Sequence, residues 1–284
     1  LVELGCGPMP SQAKFGESVK ENHNPYHELH EKRFAWLNEN LPKKAETVYF
    51  TGCTASYRQQ AIAESTVRSL KAADVKFTVL GGEEWCCGSP LLRTGQRKLV
   101  TELAKHNVEA IGKLGAKRLI TSCAGCYMTI KEDYQKILGS KLDFEVLHST
   151  ELFSSLINEK KLKPMKEINL VITYHDPCHL GRHMNVYEPP RDVLQNIPGI
   201  KLVEMLRNRK DSWCCGAGGG VKSAFKDFAI WTAGERLKDV EETGAKTIVS
   251  ACPFCKTNLV DAVKAFDKQL EVHDVMELVS RAIG

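Results

Sequence analysis

The chain has 284 residues, 43% of them hydrophobic, enough for one large domain or two of ordinary size. Its net charge of +4 is mixed along the chain, with no basic block of the kind that binds nucleic acid. No apolar run approaches the roughly 18 residues of a membrane span, and the first residues given do not read as a secretory signal.

Residues 1–46 read as a polar, irregular N-terminal extension. The chain opens on Leu1, which reads as the start of a processed or shortened chain. Gly5-Cys6-Gly7-Pro8-Met9-Pro10 and Asn22-His23-Asn24-Pro25 look like loops, and Glu31–Asn40 like one short helix stopped by Pro42. Cys6 has no cysteine two or three residues away and reads as a free loop thiol. His23, His27 and His30 read as solvated or capping groups.

From Thr47 the pattern becomes alternating strand and helix. The β-branched and aromatic runs Thr47–Thr51, Val75–Leu80, Arg118–Thr121 and Phe144–Leu147 predict four strands. Helical periodicity is expected over Ala61–Ala73, Leu99–Leu114, the stretch from Cys126 to about Leu138, and Thr150–Asn158. The order returns with strands at Leu170–Tyr174, Lys201–Val203, Lys246–Val249 and Leu270–Val272, then a helix to Ala282. This alternation predicts an α/β fold of two Rossmann-like halves with parallel sheets, one over 47–160 and one over 161–284.

The duplication is visible in the letters. Gly115-Ala116-Lys117-Arg118-Leu119-Ile120 returns as Gly244-Ala245-Lys246-Thr247-Ile248-Val249, and Phe144–His148 as Leu270–His273. Trp85-Cys86-Cys87-Gly88 returns as Trp213-Cys214-Cys215-Gly216. Ten of the eleven cysteines form two matching sets: Cys53, Cys86, Cys87, Cys123, Cys126, and Cys178, Cys214, Cys215, Cys252, Cys255. The second set is displaced by 125, 128, 128, 129 and 129 positions. Such a repeat predicts two similar halves related by a pseudo-twofold axis.

A disulfide scaffold is usually short and secreted, and adjacent cysteines rarely bridge each other because the peptide between them strains the geometry. Metal or cluster ligation is the better reading. Six of the cysteines follow predicted strands directly, where open α/β sheets bind their ligands. The glycine after each pair lets the backbone turn tightly against a bulky group. Five thiolates are one more than a cubane cluster or a structural zinc needs. Either one cysteine is a spare or a redox partner, or all five hold a cluster whose irons are not equivalent. Soft thiolates suit zinc, copper(I) or iron–sulfur.

Each half has the form Cys, 32 to 35 residues, Cys-Cys-Gly, about 35 residues, Cys-x-x-Cys. This pattern, covering 47–284 with all ten motif cysteines, resembles the cysteine-rich CCG domain family. Two complete copies in one chain resemble the catalytic subunits of heterodisulfide reductases. The resemblance implies a noncubane [4Fe–4S] cluster on each set: Cys53, Cys86, Cys87, Cys123 and Cys126 for one, Cys178, Cys214, Cys215, Cys252 and Cys255 for the other. It implies an oxidoreductase that reduces a heterodisulfide, the coenzyme M–coenzyme B disulfide or a similar one, to two thiols between the clusters, each cluster taking one sulfur. It further implies a multi-subunit electron-transfer complex with a ferredoxin-like component and a flavin or cytochrome component. The location would be cytoplasmic or peripheral to the membrane through a partner.

In the membrane-linked form of that family a ferredoxin-like region precedes the repeats. Gly5–Asn40 looks like the linker after it, so that part would lie outside this sequence or on another polypeptide. The domain also occurs in relatives that relay electrons between a flavin dehydrogenase (glycolate, lactate, glycerol-3-phosphate or succinate type) and a quinone. That relay is the alternative function, and zinc in one half is the alternative metal.

Other residues carry two readings each. His175, His179 and His183 flank Cys178. His179 is the candidate proton donor, against a structural role in the loop. Arg58 and Arg182 follow the first cysteine of each set and are candidate substrate-binding groups, against surface salt bridges. Gly216–Gly220 suits a phosphate cradle or close packing on a cluster. Trp85 and Trp213 suit water exclusion or ordinary packing.

Overall fold

The computed structural model describes residues 1–162 and 166–283. After helix α1 (Pro10–Asn22), strand β1 (Thr47–Tyr49) leads through α2 (Cys53–Tyr57) and α3 (Gln60–Ala72) to β2 (Phe77–Val79). Helices α4 (Ser89–Arg93) and α5 (Arg97–Lys113) lead to β3 (Arg118–Thr121). One helical rod then runs through α6 (Ala124–Met128), a π-helical turn (Thr129–Asp133) and α7 (Tyr134–Leu138) to β4 (Glu145–His148) and α8 (Ser149–Asn158). The second half follows with β5 (Leu170–His175), α9 (Glu188–Gln195), β6 (Ile200–Leu202), α10 (Val221–Ala224) and α11 (Lys226–Glu242). It closes with β7 (Thr247–Ser250), α12 (Pro253–Ala265), β8 (Glu271–Asp274) and α13 (Val275–Ile283).

The eight strands form two parallel four-stranded sheets of identical order, β2-β1-β3-β4 and β6-β5-β7-β8. Central strands of parallel sheets are covered on both faces and therefore read as unbroken apolar runs. Val48, Tyr49, Leu119, Ile120, Ile172, Tyr174, Ile248 and Val249 are all buried. The chain leaves β1 toward β2 and leaves β3 toward β4, so the loops diverge between β1 and β3, and likewise between β5 and β7. That divergence opens a crevice beyond the strand ends. Tyr49 pairs with Ile120 and His175 with Ser250, which brings the loops after these strands side by side.

The halves hold each other through a reciprocal exchange. Helix α13, at the end of the second half, packs on α3 of the first, and α8, at the end of the first, packs on α9 of the second. This reciprocity is what a twofold relation would produce. The buried faces are Leu152, Phe153 and Leu156 on α8, and Val275, Leu278, Val279 and Ala282 on α13. One apolar core runs through both halves.

Three expectations need correction. The extension read as irregular carries α1, and the helix expected over Glu31–Asn40 is a short 3-10 segment, His30–Phe34. Helix α1 starts on Pro10, a residue suited to the first helical turn, and buries little apolar surface beyond Val19. Its C-terminal side is fixed by polar contacts: Ser18 Oγ donates to the Asn24 carbonyl at 2.7 Å and accepts from His27 N at 2.8 Å. Finally, the repeat at the fourth strand is offset by one from the letter match. Thr121 pairs with His148 and Ser250 with Asp274, so Asp274, not His273, is the counterpart of His148.

Candidate metal centre

All ten motif cysteines are free, and all ten line one cavity of about 440 Å³ where the two halves meet. Cys53 and Cys123 stand just beyond β1 and β3, and Cys178 and Cys252 just beyond β5 and β7, at the two crevices. The paired cysteines arrive from the loops after β2 and β6. Both loops turn on a left-handed glycine, Gly88 at φ 84° and Gly216 at φ 81°. A Cβ at Gly216 would lie 2.6 Å from Thr232 Cβ and 2.8 Å from the Ala229 carbonyl. In both loops the glycine N–H points back at the first thiol of the pair, Gly88 N to Cys86 Sγ and Gly216 N to Cys214 Sγ, each 3.4 Å.

The sulfurs form one continuous line. In the first half Cys53 faces Cys86, Cys86 faces Cys87, Cys87 faces Cys126, and Cys126 faces Cys123. In the second, Cys178 faces Cys214, Cys214 faces Cys215, Cys215 lies 3.3 Å from Cys255, and Cys255 faces Cys252. The two lines join where Cys123 faces Cys252. Thiols this close cannot all carry the same charge. Donation from Cys126 and Cys86 pulls Cys87 down to about 6. Cys214 is lowered by Cys178 and Cys215, and Cys252 by Cys123 and Cys255. Cys53, Cys178 and Cys255 are held well above the ordinary thiol value, by the neighbouring thiol and then by burial. A cationic metal relieves this crowding by taking the thiols as thiolates.

Among the described residues no carboxylate lines the cavity, which is walled by sulfur, by small and apolar residues and by a few cations. That donor set suits a soft, sulfur-ligated iron centre and disfavours hard cations.

Buried charges stand behind the sulfurs. Glu84 accepts from Thr51 N and Gly52 N, each at 2.9 Å, and from Arg33 Nη1 at 3.0 Å, so it clamps the loop after β1. Arg33 also donates to Cys53 Sγ at 3.5 Å and to the His23 carbonyl at 2.9 Å. In the second half Asp176 takes a two-pronged bond from Arg191, at 2.7 and 2.9 Å. Trp85 is stacked between His23 and His106, with ring centres 3.9 and 3.5 Å away. Trp213 donates to the Thr232 carbonyl and lies under Arg207. Neither tryptophan lines the cavity.

Of the remaining candidates, His179 lines the cavity, and burial pushes its pKa down. His183 packs edge-on against it at 5.5 Å, outside the lining. His175 lies beneath, with one ring nitrogen within 4.8 Å of the sulfurs of Cys215 and Cys255. Burial, then the Arg236 cation, lowers its pKa to about 4. Arg58 lines the rim, paired with Glu28 at 2.7 Å over the Tyr26 ring. Arg182 does not reach the cavity; it donates to the Ser212 and Lys210 carbonyls, at 2.5 and 3.2 Å, and braces the loop before Trp213. Gly218, Gly219 and Gly220 do line it.

Sequence reasoning missed two cations in the lining, Arg93 and Lys222. Each is held by an aspartate at 2.6 Å, Arg93 by Asp133 and Lys222 by Asp261. Their positions differ by 129 and those of their aspartates by 128, the repeat offset itself, which was the signal available. It also missed the contribution of the N-terminal extension, whose Phe15 and Tyr26 close one side of the cavity.

The cysteine-rich domain (CCG) family model matches residues 47–131 and 172–260. One subunit of the dihydromethanophenazine:CoB–CoM heterodisulfide reductase of Methanosarcina barkeri is 49% identical over 100% of this chain, which spans 71% of that protein. The EtfAB:quinone oxidoreductase of Syntrophomonas wolfei is 34% identical over 98% of this chain and 42% of its own length. Among solved structures, a hypothetical protein from Helicobacter pylori aligns with a TM-score of 0.64 at 11% identity, covering 99% of this chain and 56% of that one, a likeness of fold alone.

Proposed function

The chain belongs to the cysteine-rich CCG domain family of iron–sulfur oxidoreductases, in two repeats, and on that footing we propose that it reduces a heterodisulfide to two thiols between two noncubane [4Fe–4S] clusters. The observation that carries this reading is the single cavity lined by both sets of five sulfurs, which meet where Cys123 faces Cys252. Cys53, Cys86, Cys87, Cys123 and Cys126 would hold one cluster, and Cys178, Cys214, Cys215, Cys252 and Cys255 the other. When bound, each cluster supplies one electron and a seat for one sulfur.

Reducing a disulfide takes two electrons and two protons and yields two thiols. The electrons would come from a partner redox protein within a larger complex. The chain's own residues bind, orient and protonate. Arg93 and Lys222 stand one per half on the cavity wall, already poised by Asp133 and Asp261. They suit a substrate with an acidic group on each arm, and Arg58 adds a third cation at the rim. His179, which lines the cavity beside Cys178, would be the donor to a product thiolate once it has itself taken up a proton, a step that its burial opposes. Gly218 and Gly219, with open space where a Cβ would stand, would let the substrate approach the backbone of the second half closely.

The second reading is an electron relay between a flavin dehydrogenase and a quinone, supported by the similarity to EtfAB:quinone oxidoreductase. Turnover separates the two. Anaerobic protein reduced by dithionite or viologen radical should consume a coenzyme M–coenzyme B disulfide and release two thiols per two electrons. Iron-replete protein that re-oxidises with a quinone analogue but never with any disulfide would leave the relay.

A further inference from the structure

The two cysteine sets are duplicated, but the residues behind them are not. His175 ends β5, three positions before Cys178. The position that matches it in the first half, three before Cys53, is Phe50, fully buried in the apolar core. An imidazole thus stands behind one set and a hydrocarbon ring behind the other.

The tautomer of His175 is set by its neighbour. Arg236 donates Nε–H to His175 Nδ1 at 3.2 Å. A guanidinium nitrogen only donates, so Nδ1 is the acceptor and the ring proton sits on Nε2. Arg236 is fixed in turn by the Arg207 carbonyl at 2.7 Å, Asp239 at 2.8 Å and Ser212 Oγ at 3.2 Å, so the ring has little freedom to turn over. Nε2 is buried and has no hydrogen-bond partner among the described residues. An orphaned donor inside a protein costs stability unless something absent from the bare chain takes its proton. With Nδ1 engaged by Arg236, Nε2 is the nitrogen left for the Cys215 and Cys255 sulfurs, within 4.8 Å.

We propose that His175 Nε2–H donates a hydrogen bond to a sulfur of the cluster seated on the second cysteine set, and so makes that centre more easily reduced than a hydrocarbon ring at the same position would. This rests on the iron–sulfur reading above. Reduction adds negative charge to a cluster, and an N–H aimed at its sulfur stabilises that charge; the ring of Phe50 offers no such donor at the matching position, and the first set instead has the Arg33 guanidinium 3.5 Å from Cys53 Sγ. His175 is a positioning group and not a ligand, because its only lone pair faces Arg236. For the same reason a zinc on His175, Cys215 and Cys255 is disfavoured, since it would need the Nε2 lone pair that this tautomer lacks.

The test is a redox titration followed by EPR, with iron and sulfide analysis, on the anaerobic wild-type protein, His175→Phe and His175→Gln. His175→Phe places in the second half the residue that the first half already carries. It is expected to keep its iron while the reduced-to-oxidised ratio of one centre falls about tenfold at fixed potential, a shift of about 59 mV for one electron. Hydrogen–deuterium exchange should also remove from the wild-type cluster signal one exchangeable proton coupling that His175→Phe lacks, beside the backbone N–H couplings that both share. His175→Gln, whose amide can both accept from Arg236 and donate, should lie between. If His175→Phe loses iron, His175→Gln decides by the same two readouts. Iron-loaded variants with unchanged potentials and unchanged proton coupling would overturn the proposal. Wild-type protein that binds no iron would instead overturn the cluster reading beneath it.

Discussion

At the residue scale the site depends on sulfurs that are individually ordinary and collectively crowded. Replacing Cys123, the first-set member that faces the other set, removes a soft donor that serine cannot imitate. Cys123→Ser is expected to lower bound iron from about eight to about four atoms per chain, read by iron analysis after anaerobic reconstitution; unchanged iron would show that Cys123 is not a ligand. A second residue-scale effect is acid sensitivity. Burial lowers the pKa of His148 from the ordinary 6.5 to about 4. The folded chain thus binds this proton more weakly than the unfolded chain. The associated stability is complete above about pH 6.5 and is lost as the pH falls through about 4. A shift of this size corresponds to about 3 kcal/mol. His148 caps α8 by accepting from Thr150 N, and asparagine caps helices without titrating. His148→Asn should therefore flatten the fall in denaturation midpoint between pH 6.5 and 4, by circular dichroism. The ten cysteines were legible in the sequence because their spacing repeats. Arg33 and Glu84 were not, because a lone charged pair has no sequence pattern, and its meaning appears only when burial forces it to be satisfied.

At the scale of elements, the fold is carried by short parallel strands, of which β1 and β7 are buried along their whole length, and by the exchange of α8 and α13 between halves. Leu278 on α13 is completely buried. Leu278→Ala should cost about 2–5 kcal/mol in chemical denaturation. Because α13 packs on the first half, both halves should then unfold at lower denaturant together. The strands were readable because β-branched runs between glycines have few other uses in a parallel sheet. Helix α1 was missed because it has almost no apolar face; contacts through Ser18 and Asn24, rather than periodicity, anchor it. The π-helical turn at Thr129–Asp133 was equally invisible, since nothing in the local letters distinguishes it from the α-helix on either side.

At the scale of the whole molecule, duplication has produced one cavity rather than two. No helix among the described residues is long and apolar enough to cross a membrane. The equivalent cations Arg93 and Lys222 belong to this scale, since each half contributes one to a shared site. A hydrogen bond to a charged group is worth about 1.5–3 kcal/mol, so Arg93→Met and Lys222→Met should each raise KM for the disulfide about tenfold or more while leaving iron content intact. Equal KM values in wild type and variants would remove both from the substrate site. The central claim is that the two cysteine sets hold clusters that receive the sulfurs of a substrate. The most direct measurement is EPR of the anaerobic protein, oxidised with and without coenzyme M thiol and paired with iron analysis. A paramagnetic signal that appears only with the thiol, broadens when the thiol carries a magnetic sulfur isotope, and accompanies about eight irons is the expected result. An ordinary cubane signal indifferent to the thiol, with about four irons, would contradict it.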